Sequence, residues 1–291
     1  MFSKSHLKKN FSEFLTFYKN RPIKNNQSGM KIDHCYALFT LLKKIKPKYV
    51  IESGVWKGQT TWLIKNVLKN SKIFSIDIDL SQRDLIYKNV KYLEKDITKY
   101  NWSKLDKNKT LIIFDDHVCF SKRLNFIKKN KFKHIIFDDN LPNNHIGYYT
   151  PKMIVENQYL VKKEFIKYSN FFRLIKFIIR FLKKDFRDNT KIKVFNKFIR
   201  ITYPAKNNEK LKKDFDIFRK NIKIYYEFPP ITKFNYKKRF KKILNNFKGV
   251  VRKDYKVKLP IFSNSKIHLD NELKNELNVQ YSNICYIKLT N

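Results

Sequence analysis

The stretch that most constrains the chain is Tyr49-Val50-Ile51-Glu52-Ser53-Gly54-Val55-Trp56-Lys57-Gly58-Gln59-Thr60-Thr61. Only five glycines occur in 291 residues, and two of them stand here between an apolar run and a helix-period pattern. Glycine tolerates positive φ and close backbone approach, and a helix that starts just after it offers unpaired N–H groups. The spacing therefore predicts a strand, a bend and a helix, with a small polar or charged molecule at the bend. Neither Gly-x-x-x-x-Gly-Lys-Ser/Thr nor Gly-x-Gly-x-x-Gly is present, which excludes a phosphate-cradling loop and the dinucleotide fingerprint.

The following segments alternate short apolar runs with helical patterns, which is the signature of a parallel sheet with crossover helices. Lys72 to Asp79 is a strand that runs into two carboxylates. An acid at the end of the second strand can accept hydrogen bonds from both hydroxyls of a ribose, so Asp77 is the first choice and Asp79 the alternative. Val90 to Leu93 predicts a third strand, and Asp96 at its exit could approach an adenine amino group.

Two further strands, Thr110 to Phe114 and His134 to Phe137, end in Asp115-Asp116-His117 and Asp138-Asp139-Asn140. Neighbouring parallel strands lie roughly 5 Å apart, so their carboxyl ends crowd four acids at one edge. Such acids repel one another unless a positive charge sits among them. A hard divalent cation, Mg²⁺ or Mn²⁺, suits these oxygen ligands, while one or two of the four could instead cap helices.

Glu-x-Gly-x-x-x-Gly after a strand resembles the cofactor loop of class I S-adenosylmethionine-dependent methyltransferases. With the acidic strand ends added, residues 49–150 resemble the metal-dependent O-methyltransferases of the macrocin O-methyltransferase and cephalosporin hydroxylase type, whose loop reads Glu-Thr-Gly-Val-Trp-Arg-Gly. The resemblance implies a Rossmann-like α/β methyltransferase fold, a mostly parallel sheet with helices on both faces. It implies S-adenosyl-L-methionine at Glu52, Gly54, Val55, Trp56, Gly58, Asp77, Asp79 and Asp96. It also implies Mg²⁺ or Mn²⁺ at Asp115, Asp138 and Asp139, beside the hydroxyl of a sugar, glycan or small natural product. The group usually has Asp-x-Asp after the fourth strand, so Asp115-Asp116-His117 leaves Asp115 and Asp116 as alternative ligands. A base must take the hydroxyl proton, and His117 and His145 are the candidates.

Flanking this core, residues 1–48 predict a helical cap and residues 151–291 a basic elaboration that completes the sheet. Within it, 169–187 has the pattern of a basic amphipathic helix, too short and too charged to span a bilayer. Lys and Arg number 64 against 25 Asp and Glu, a formal charge of +39. That charge admits an anionic membrane surface or nucleic acid as partner through the basic half, although AT-rich coding would also raise Lys. Three dispersed cysteines predict buried thiols in a reducing compartment, and Met1 to Asn20 predicts neither a signal peptide nor a span. The expectation is a cytoplasmic enzyme, with a peripheral place at a membrane surface as the alternative. An RNA-directed methyltransferase and a catalytically silent adaptor are the competing readings. No iron-type His-His-carboxylate set supports hydroxylation.

Overall fold

The computed structural model describes residues 1–26, 29–140, 149–157, 164–167, 191–195, 198–202, 209–232, 259–262, 273, 276 and 284–290. Two helices come first, α1 (Lys4–Lys19) and α2 (Ile32–Ile45). Ser3 caps α1 by accepting from the His6 amide, and α2 stops where Lys46 turns left-handed ahead of Pro47, which cannot continue a helix. The core follows as β1 (Tyr49–Ser53), α3 (Gln59–Val67), β2 (Lys72–Asp77), β3 (Val90–Glu94), β4 (Thr110–Phe114), α4 (Phe120–Asn130) and β5 (His134–Phe137). A short helix α5 (Pro151–Val155) comes next, then strands β6 (Glu164–Lys167), β7 (Lys191–Phe195) and β8 (Phe198–Thr202), which form their own antiparallel sheet in the order β6-β8-β7. Helix α6 (Glu209–Lys220), β9 (Ile222–Glu227) and β10 (Cys285–Leu289) complete the described elements. The basic helix expected at 169–187 lies outside the described residues.

The main sheet has seven strands in the order β3-β2-β1-β4-β5-β10-β9. β1 to β5 are mutually parallel, while β10 runs antiparallel between β5 and β9. This is a mostly parallel, Rossmann-like sheet flanked by helices, as expected for a class I methyltransferase fold. The strand order turns back between β1 and β4, and the carboxyl ends of those two strands are where an open α/β sheet binds ligands.

Strand periodicity divides the core in two. Val50, Leu111, Ile113 and Ile136 point to the face covered by α1, α2 and α3, whereas Ile51, Ile112, Phe114, Ile135 and Phe137 point to the face shared with Phe120, Leu124, Phe215 and Phe218 of α4 and α6. Phe17 of α1 stacks on Trp62 of α3 with ring centres 4.7 Å apart, which seats the helical cap on the sheet. Cys35, Cys119 and Cys285 are buried free thiols. Among the described residues no helix is long and apolar enough to cross a membrane.

Candidate functional site

The bend between β1 and α3 has both glycines at positive φ, +100° at Gly54 and +89° at Gly58. A Cβ built on Gly54 would overlap the carbonyl oxygen of Asp115 and lie 2.5 Å from its carbonyl carbon. The close approach that demands this glycine is therefore made by the chain itself, and it interlocks the bend with the end of β4. Gly58 is the N-cap of α3 and supplies no side-chain hydrogen bond, so the first amides of that helix have no cap of their own. Trp56 sits at the tip with φ +48° and 41% of its surface exposed, an uncommon conformation for so bulky a residue.

Asp77 reaches the bend from the end of β2. Its Oδ2 accepts from the amides of Val55 and Trp56 at 2.8 and 3.2 Å, and Oδ1 accepts from the Asp79 amide at 3.3 Å. An ionised carboxylate has about four acceptor positions, so capacity for a ligand hydroxyl remains. Asp79 is turned into its own loop, where one oxygen takes both the amide and the hydroxyl of Ser81.

Two residues expected to touch the cofactor stand elsewhere. Glu52 is fully buried behind the bend, and its Oε2 accepts from Thr61 and Ser75 at 2.7 and 2.5 Å, which ties α3 to β2. Burial pushes its carboxyl up to about 7 against the pull of those hydrogen bonds. Asp96 caps the turn Ile97–Lys99 through Thr98 and pairs both oxygens with Arg123, at 3.2 and 2.9 Å. Burial alone would raise Asp96, but the bonds from Arg123 and Thr98 outweigh it and hold the carboxyl near about 2.

At the acidic edge the structure brings the four carboxylates together and gives each a different neighbour. Asp116 accepts from Ser53 Oγ at 2.5 Å and contacts Arg123 at 2.7 Å through Oδ2, while its Oδ1 takes the Val118 amide. Three of its roughly four acceptor positions are thus filled, and Asp115 and Asp116 both stay candidates for that ligand position. Arg123 is itself buried, and it joins the ends of β1, β3 and β4 through Ser53, Asp96 and Asp116. Asp115 and Asp138 share a hydrogen bond. Burial and then the charge of Asp138 raise Asp115 well above the carboxylate range. Asp138 is also raised by burial, and it lies 3.2 Å from His34 Nδ1. Asp139 Oδ2 is 2.6 Å from His117 Nδ1. Both members of that pair are left-handed, at φ +53° and +52°, a conformation that His and Asp adopt more readily than most residues but at some cost. The hydrogen bond to the Asp139 carboxylate, which accepts from the ring, raises His117, partly offset by burial. His145 lies outside the described residues.

In this structure Arg123 lies against Asp116, His34 against Asp138 and His117 against Asp139. Among the described residues no three His, Cys, Asp or Glu side chains converge as a metal-ion set. The donor chemistry nevertheless fits a hard cation. Two buried carboxylates, Asp115 and Asp138, face each other, and a third, Asp139, is adjacent in sequence. Gln59 supports a ligand at the bend. It opens α3, is 2% exposed, and neither its Oε1 nor its Nε2 has a partner. Buried orphans of this kind cost about 1–3 kcal/mol each, and a polar ligand would satisfy them.

Sequence reading missed Gln59, Arg123 and His34. Gln59 follows Gly58 within the stretch that opened the reading, yet nothing in its type marks it. Arg123 looks like one more basic helix residue, and His34 precedes the apolar run of α2 by one position.

No protein-family model matches the chain, and no curated protein matches it. Among solved structures, the Mg-SAM structure of cmcI is 13% identical, with 62% of this chain and 77% of that chain covered and a TM-score of 0.35. The SAH-bound Podospora anserina methyltransferase PaMTH1 is 11% identical, with 68% and 87% covered and a TM-score of 0.34. The O-methyltransferase from Bacillus cereus in complex with SAH is 12% identical, with 69% and 92% covered and a TM-score of 0.32. At these scores the fold assignment rests on strand order and register.

Proposed function

We propose that the chain is an S-adenosylmethionine-dependent O-methyltransferase acting on a hydroxyl of a sugar, glycan or other small acceptor, with Mg²⁺ or Mn²⁺ at the acidic edge. The observation that carries this reading is the reversal of strand order between β1 and β4, where the Gly54 bend, Asp77 and the two Asp-Asp ends meet. S-adenosylmethionine, when bound, supplies a methyl group on a sulfonium. The chain's part is to hold donor and acceptor in line and to make the acceptor oxygen nucleophilic. Asp77 is the acceptor for ribose hydroxyls, and the uncapped amides at the start of α3 face a ligand carboxylate. His117 takes the acceptor proton and Asp139 fixes the orientation of its ring. Asp115, Asp138 and Asp139 would hold the cation, whose chemistry is to lower the pKa of a bound hydroxyl. The sugar or glycan class of acceptor rests on the resemblance of the Glu52 to Gly58 loop.

Calorimetry with S-adenosylhomocysteine, paired with turnover of a hydroxylated acceptor panel with and without chelator, tests the reading. Asp139→Asn should abolish metal-stimulated turnover and leave cofactor affinity within about twofold. Equal loss of both would overturn the division of roles, and no binding heat in the wild-type chain would overturn the methyltransferase reading.

A further inference from the structure

The edge of the sheet opposite the acidic one carries a cavity of about 660 Å³. It lies where β1, β4 and β5 begin, beyond the last turns of α2 and α3, and it contains none of the residues of the candidate functional site. Lys43, Lys46, Lys48, Lys69 and Lys109 line it, with His134. Two of these lysines have carboxylate partners, Lys43 with Glu13 at 2.5 Å and Lys109 with Asp106 at 3.8 Å. Lysines at helix C-termini are expected on dipole grounds alone, because each end carries about half a negative charge. Five full charges around one cavity exceed what two helix ends and two carboxylates neutralise.

The rest of the lining defines the ligand. Ile45, Pro47, Val67 and Leu68 give an apolar wall, and among the described residues no Phe, Tyr or Trp lines the cavity. Without an aromatic platform, nucleobases have nothing to stack on, which disfavours a single-stranded nucleic acid. The last carbonyls of α2 and α3 have no partners within their helices and accept hydrogen bonds, so they complement hydroxyl groups. The volume is that of a small-molecule site. We infer that this amino-terminal cleft binds a phosphorylated polyol, with the phosphate among the lysines and the hydroxyls toward the helix ends. The ligand is either a free phosphate ester or the headgroup of a phospholipid. This inference does not rest on the proposed reaction.

The test uses the full chain and two charge-matched variants, Lys46→Glu/Lys69→Glu in the cleft and Lys88→Glu/Lys91→Glu on the exposed β3 side of the sheet. Glycerol 3-phosphate is titrated by calorimetry at low salt, and flotation is measured with phosphatidylcholine vesicles with and without phosphatidylglycerol. If the source is a free ester, the cleft variant loses about tenfold in affinity for glycerol 3-phosphate and the control variant keeps it. If the source is a lipid, the same contrast appears in flotation with the anionic vesicles only. Equal losses in the two variants, or no binding of either probe by the wild-type chain, would overturn the inference. Circular dichroism of both variants checks that the fold is retained.

Discussion

Arg123→Met should destabilise the fold by about 3 kcal/mol, since removing one partner of a buried ion pair costs roughly 3–5 kcal/mol. The Arg123 and Asp116 side chains are 4% and 12% exposed, so the full range applies to that contact. Asp96 is 32% exposed, and its share is screened to under about 1 kcal/mol. A partial offset comes from removing Arg123 Nε, which is buried without a partner. For a chain of this size each kcal/mol moves the midpoint by about 2–4 °C, so a fall of roughly 6–12 °C is expected. Urea and thermal unfolding at neutral pH measure it. The companion Arg123→Met/Asp116→Asn removes the stranded charge and should restore more than half of the loss. A loss below about 1 kcal/mol, or no recovery in the double variant, would refute the view that Arg123 clasps the strand ends together.

Glu52 gives a pH test. Its folded carboxyl is raised from 4.5 to about 7, so the stability present below pH 4.5 is lost as the pH rises toward 7. Glu52→Gln should therefore match the wild type in acid and exceed it above pH 7 by on the order of 3 kcal/mol, read from urea midpoints across pH. A pH-independent difference would contradict the assignment. Gln59→Met should stabilise the ligand-free chain by about 1–2 kcal/mol by removing two buried orphans, yet weaken S-adenosylhomocysteine binding in calorimetry. Unchanged affinity would mean that Gln59 does not face the ligand.

Much of the core was legible because its signals are local. Short apolar runs ending in an acidic residue placed β1, β2, β4 and β5 at nearly their observed bounds, and scarce glycine marked the bend. Residues 151–291 are expected to complete the sheet, but the reversed place of β10 between β5 and β9 depends on pairing across the chain and leaves no local trace. The candidate site divides along the same line. Which acids gather at the edge follows from strand ends alone. Which side chains face them depends on Arg123 from α4 and His34 from α2, whose contacts span many residues and have no local signal in the sequence. The Gly54 signal was read as room for a ligand, whereas the atom that fills the space belongs to Asp115.

A crystal structure grown with S-adenosylhomocysteine and Mn²⁺, with anomalous data collected at the manganese edge, tests the central claim most directly. The account predicts adenosyl density between the Gly54 to Gly58 bend and Asp77, and an anomalous peak among Asp115, Asp138 and Asp139. An empty bend, with Asp115 still hydrogen-bonded to Asp138 at saturating ligand and metal, would contradict it.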